Sequence, residues 1–257
     1  MDAILAHLTF HVLAVTTAAM LAGGVLKGTT GFGLPFITVP ILTLAMDVPE
    51  AMAVSLFPIL LSNVYQLFRD PAATRAAVVR FWPLVLSLVV MLALTSRLLS
   101  VIDTRVLMML VGAAALSFVI FTLATPRLRV QPRHERWLAP LMGAISGTIG
   151  GFTSFYGTLA VGFVTALRLD KEAFVTTASL ILLSGGVTLT VTLNRMGFFV
   201  AEQAVLSAIA LVPLYVGMRI GQGLRGRLSQ ETFARIILAL LALVGGSMIL
   251  RGAVALL

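Results

Sequence analysis

Two glycine-rich stretches carry the side chains best suited to binding chemistry. The first reads Gly23-Gly24-Val25-Leu26-Lys27-Gly28-Thr29-Thr30-Gly31-Phe32-Gly33-Leu34-Pro35. The second reads Gly143-Ala144-Ile145-Ser146-Gly147-Thr148-Ile149-Gly150-Gly151-Phe152-Thr153-Ser154-Phe155-Tyr156-Gly157-Thr158. A helix broken at glycine presents amide N–H groups at the start of its next segment, and these bind anions through hydrogen bonds and the local dipole. Thr29, Thr30, Ser154 and Thr158 add hydroxyl donors suited to oxyanions. Lys27 is the one basic residue away from an evident membrane boundary, where a charge is costly and marks function by default. Asn63, with Gln66 and Tyr65 nearby, supplies amide chemistry on the third apolar segment. The expected substrate-binding set is Lys27, Thr29, Thr30, Gly31, Gly33, Asn63, Gly151, Ser154, Tyr156 and Thr158. Two plainer readings compete with it: the glycines let helices pack closely, and Lys27 snorkels to an interface.

The elements that must hold these residues are membrane spans. Of 257 residues, 59% are hydrophobic and 11% charged, with a mean hydropathy of +1.06. A soluble domain carries about a quarter charged residues, so a soluble enzyme, a disulfide scaffold and a disordered chain are excluded. Short alternating segments of the β-barrel kind are absent. Breaking the chain at charges, Pro and Gly clusters gives ten apolar segments, at 3–26, 34–46, 49–68, 81–99, 104–125, 137–150, 155–167, 172–193, 201–222 and 231–256. The N-terminus lacks the basic region of a cleaved signal peptide, so the first segment is expected to be retained.

The halves repeat each other. An offset of 122 pairs Glu172 with Glu50, Ile181-Leu182-Leu183 with Ile59-Leu60-Leu61, Thr177 with Ser55, and Arg219 with Arg97. Nearer the start the offset is 120, pairing Gly143, Gly151 and Phe152 with Gly23, Gly31 and Phe32.

The net charge of +8 reads as topology, because Lys and Arg concentrate in cytoplasmic loops. Placing the dense loops inside puts twelve basic residues there and leaves Arg97, Arg105, Arg195 and Arg251 outside. The basic bias reverses between halves, which favours inverted-topology repeats, a mark of secondary transporters. Both termini then lie outside. Each Gly-broken pair contains pieces of about 14 residues, or ~21 Å, too short to cross ~30 Å of hydrocarbon. The expected fold is an all-α integral membrane protein of two inverted repeats, 1–125 and 137–257, around a cytoplasmic linker at 126–136. Each repeat holds a Gly-broken or re-entrant helix pair plus three transmembrane helices.

Other chemistry is poorly supplied. All ten Asp and Glu fall near segment ends or in loops, against a buried proton relay or an intramembrane protease. There is no Cys, and His7 and His11 lack a third ligand, so neither metal nor cofactor is expected. GTTGFG lacks the G-K-[ST] of a phosphate loop. Trp82 and Trp137 follow basic loops and fit an interfacial belt. Arg97 and Arg219 read as interfacial anchors or as attractors of substrate at two vestibules. The expected partners are a small anion and the lipid bilayer, with nucleic acid excluded and a homodimer left open.

GTTGFGLPFITVP followed by DVPEAMAVSL resembles the opening repeat of the TauE/SafE sulfite and organosulfonate transporters. GAISGTIGGFTSFYG followed by LDKEAFVTTASL is similar to their second repeat, and PLYVGMRIG resembles their P-x-x-x-G-x-x-x-G stretch. The chain departs from the family pattern at Gly31-Phe32-Gly33-Leu34-Pro35, where G-I-G-G-G is common, and at the SFYG of the second repeat. The resemblance implies export of sulfite or small organosulfonates across a bacterial inner membrane by alternating access. An anion-selective channel, or an uptake permease for another organic anion, is the alternative.

Overall fold

The computed structural model describes residues 9–30, 33–68, 70–124, 130–224 and 230–255. Among them the chain is all helical. Its twelve α-helices are α1 (Phe10–Thr30), α2 (Leu34–Leu42), α3 (Val48–Val54), α4 (Leu56–Phe68), α5 (Pro71–Ser96), α6 (Thr104–Ala124), α7 (Pro132–Thr153), α8 (Gly157–Ala166), α9 (Lys171–Arg195), α10 (Ala201–Ile209), α11 (Leu211–Leu224) and α12 (Gln230–Val254). A 3-10 turn, Arg97–Ser100, follows α5. Five stretches are long and apolar enough to cross a membrane: Phe10–Thr29, Val48–Phe68, Pro71–Ser100, Glu172–Arg195 and Ala201–Leu224.

Several boundaries differ from the sequence expectation. Helix α1 runs through Gly23, Gly24 and Gly28 to Thr30, and α7 runs through Gly143, Gly147, Gly150 and Gly151 to Thr153. The glycine-rich stretches are therefore mostly helix, and the two breaks narrow to the residues before α2 and α8. Each pair consists of one long and one short helix instead of two equal pieces. Gly33 sits at φ 91° as the N-cap of α2, and Ser154 adopts φ 65° at the end of α7. Residues 132–136, placed in the linker by sequence, form the first turns of α7, while 125–129 lie outside the described residues.

Two segments expected to be continuous are split, and proline explains both. Helix α3 stops at Val54 and α4 starts at Leu56, because Pro58 has no N–H to give Val54 O and its ring crowds that carbonyl. Helix α10 stops at Ile209, four residues before Pro213, for the same reason.

The packing exchanges elements between the halves. Helix α1 packs along α11, and α7, its counterpart at the repeat offset, packs along α5. Glycine permits both approaches. A Cβ on Gly217 would strike Leu21 O, and one on Gly221 would strike Val25 O. On the other side, Gly147 faces Leu88 O, and Gly151 faces Thr95 Oγ1 and Ser96 N. This is small-residue packing that brings backbones together. The contacts advance together along both members, so each pair runs parallel.

Two further pairs join counterparts directly. Helix α4 crosses α9 with Gln66 at Ser179 and Ile59 and Leu60 at Gly186, so the two run antiparallel. Helices α6 and α12 are also antiparallel, with Gly112 against Gly245 and Ile249, and Arg105 against Gly252. Arg80 Nε donates to Glu135 Oε1 at 2.7 Å and Nη2 to Oε2 at 2.8 Å, tying α5 to α7. It is the one ion pair found among the described residues.

Candidate functional site

Lys27 lies on α1, 3% exposed, where it meets α4. Its Nζ donates to Asn63 Oδ1 at 3.2 Å. Asn63, also buried, donates from Nδ2 to Ile59 O at 2.6 Å. The amide is thus oriented by its own helix with its oxygen toward the ammonium. No carboxylate of the described residues lies within ion-pair distance of Lys27. An ammonium has three donors, and one is committed to a neutral amide. The arrangement leaves an amine without a local counter-charge in an apolar interior, where carrying an unpaired charge is expensive. Snorkelling does not describe it, because the head group is buried.

The second break lies beside α9. Tyr156 is fully buried; its hydroxyl donates to Leu182 O at 3.0 Å, its ring lies beside Gly185, and its backbone and Cβ lie beside Gly150. Gly186 lies beside Ile59 and Leu60 on one side and the Tyr156 hydroxyl on the other. Tyr156 and Asn63 are therefore linked through the α4–α9 crossing. Ser154 Oγ is buried without a hydrogen-bond partner, so its donor is uncommitted.

Other expected donors are occupied. Thr29 Oγ1 donates within its own helix, to Leu26 O at 2.8 Å and Val25 O at 3.0 Å. Thr158 Oγ1 donates to Phe155 O at 2.8 Å. Gly151 faces α5, and Gly33 lies between Leu26 and Phe36. Gly31 and the side chain of Thr30 lie outside the described residues, as do Tyr65's side chain and His7. Of the expected set, Lys27 and Asn63 touch, and Ser154 and Tyr156 sit at the other break.

What joins the two breaks is aromatic and was not anticipated from sequence. Phe36, on the first turn of α2, stacks on Phe118 of α6 with centroids 4.5 Å apart. It also meets Phe155 of the second break at 4.8 Å, tilted by 57°. Phe118 and Phe155 line a cavity of about 460 Å³ between α6, α7 and α8, together with Ser146, Thr153 and Thr158. Ser146 Oγ is buried there without a partner. Phe36 thus touches the Phe118 and Phe155 rings that line this cavity and also adjoins the Gly33 turn. In so apolar a chain, no spacing distinguishes these three rings from ordinary core.

Further polar contacts tie the crossing together. Ser179 Oγ donates to Gln66 Oε1 at 3.1 Å, and Thr38 Oγ1 and Ser55 Oγ are 3.3 Å apart at the α3–α4 break.

The sequence model of one protein family, described as Sulfite exporter TauE/SafE, matches residues 15–248 of the chain. No curated protein matches it, and no solved structure does.

Proposed function

This chain belongs to the sulfite exporter TauE/SafE family, and we propose that it moves small sulfur-containing oxyanions, sulfite or organosulfonates, by alternating access and in the outward direction. The observation that carries the reading is Lys27: a buried ammonium whose acceptor is the neutral Asn63 amide. An anion passing the crossing supplies the charge that the protein leaves out. Asn63 holds the ammonium in place, and the uncommitted Ser154 hydroxyl offers a donor at the second break. The proposal puts Lys27 and Asn63 at the centre of the substrate site, with Ser154 and Tyr156 at the second break.

The antiparallel α4–α9 and α6–α12 pairs join segments that match at the repeat offset. They support two inverted repeats, whose relative movement would expose the site to each side in turn. On this reading the protein spans the bacterial inner membrane several times, with the linker inside and both termini outside.

The test is a calorimetric binding screen of sulfite, sulfoacetate, taurine and matched carboxylates on purified protein and on Lys27→Met. Sulfite or a sulfonate should bind the native chain, and the variant should bind it at least tenfold more weakly while unfolding at an unchanged or higher temperature. Equal affinity in a folded variant would remove Lys27 from the site.

A further inference from the structure

A second arrangement of cations lies on the far side of α9. The α9 face that carries Leu182, Gly185 and Gly186 is turned toward Tyr156 and α4. About half a helical turn away, Val187 and Val191 are 49% and 46% exposed. They form one wall of a groove of about 480 Å³ between α5 and α9. Arg97, just past the end of α5, and Arg195, the last residue of α9, both line this groove. Two guanidinium groups thus share a cleft whose wall includes the exposed aliphatic side chains Val187 and Val191.

Neither arginine has a carboxylate within ion-pair distance among the described residues. The threonines of the groove are not competing donors: Thr188 Oγ1 donates to Ser184 O and Thr192 Oγ1 to Thr188 O, at 2.8 and 2.9 Å. The guanidiniums are therefore the polar recognition elements. Their planar forks match phosphate oxygens in pairs. The repeat counterpart of Arg97 differs. Arg219 lies over the Tyr215 ring of its own helix at 6.0 Å.

We infer that the α5–α9 groove binds an anionic phospholipid, its headgroup phosphate between Arg97 and Arg195 and an acyl chain along Val187 and Val191. A free oxyanion shares the headgroup chemistry but has no use for the aliphatic wall. Basic pockets between membrane helices on the cytoplasmic side bind anionic headgroups, and the same chemistry serves at the outer face, where the loop charges put this pair. The inference rests on the membrane reading and the groove, and is independent of the substrate assigned to Lys27.

The experiment is native mass spectrometry of the full chain released from nanodiscs containing phosphatidylglycerol and phosphatidylethanolamine in equal amounts. The native protein should retain one phosphatidylglycerol with at least tenfold preference, and Arg97→Gln/Arg195→Gln should lose that preference. Arg219→Gln should keep it. Val187→Ser/Val191→Ser, with both arginines intact, should weaken retention several-fold. Equal retention by the native and double-glutamine proteins would overturn the assignment. So would displacement of the lipid by an equal concentration of inorganic phosphate, which would give the groove to a free ion. Circular dichroism of each variant establishes that the helices persist.

Discussion

Phe36 and Phe155 come from opposite halves of the chain, and their rings meet with centroids 4.8 Å apart. Phe155 also lines the hydroxyl-bearing cavity, while Phe36 adjoins the Gly33 turn. Replacing Phe36 by Ala should destabilise the protein by about 3–5 kcal/mol, the range for a buried phenylalanine. It should also raise passive sulfite leak in proteoliposomes. Phe36→Leu should retain most of the stability and stay tight. A leak rate identical in Phe36→Ala and the native protein would show that the ring is packing alone.

Asn63 and Lys27 should be strongly coupled. Asn63→Leu leaves a buried ammonium without its acceptor, at a cost of about 1–3 kcal/mol or more. Adding Lys27→Met removes the orphaned group, so the double variant should recover much of the loss. Denaturant unfolding in detergent gives the cycle. Strictly additive effects would contradict the contact.

The glycines of the helix pairs should be intolerant on both sides of the molecule. Gly217→Val drives a side chain into Leu21 O, and Gly147→Val drives one into Leu88 O. Overpacking of this kind costs about 1–3 kcal/mol and often more, so both should lower the yield of folded protein. Gly246, mid-way along α12, has nothing within 4 Å of its Cβ position. Gly246→Ala should therefore gain up to about 1 kcal/mol. Thermal unfolding of the three proteins separates these cases.

Flux should respond to voltage. No carboxylate was expected inside a span to carry a compensating proton, so anion movement should be electrogenic. At 100 mV the potential supplies about 2.3 kcal/mol per charge, roughly fifty-fold in concentration. Sulfite flux from proteoliposomes should rise when a valinomycin-set potential is negative on the side it leaves. Flux indifferent to the potential would exclude uncoupled export.

The helical character was legible because long apolar runs are local signals. So was Lys27, since a lone cation in apolar sequence is conspicuous. The splits at Ser55 and Ala210 were encoded by Pro58 and Pro213, four residues downstream of the freed carbonyls at Val54 and Ile209. The glycines misled by composition: Gly23, Gly24, Gly28, Gly147 and Gly151 read as unwound backbone, yet they are helical. A helix tolerates glycine when a second backbone fills the space its missing side chain leaves. Which partner does so, here α11 for α1 and α5 for α7, is a tertiary fact. The Phe36–Phe118–Phe155 cluster was hidden for the same reason, as was the meeting of Arg97 with Arg195, which are 98 positions apart.

The exchange of partners also bears on how the chain matures. Helix α1 leaves the ribosome some 190 residues before α11, and α5 waits for α7. The first half therefore enters the bilayer with its glycine grooves empty and with Lys27 beside Asn63 but without the helices that later enclose them. Neither half is a self-sufficient unit. Insertion of the early helices must be separated in time from their final packing, and a chain truncated after α6 would lack the partners of α1 and α5.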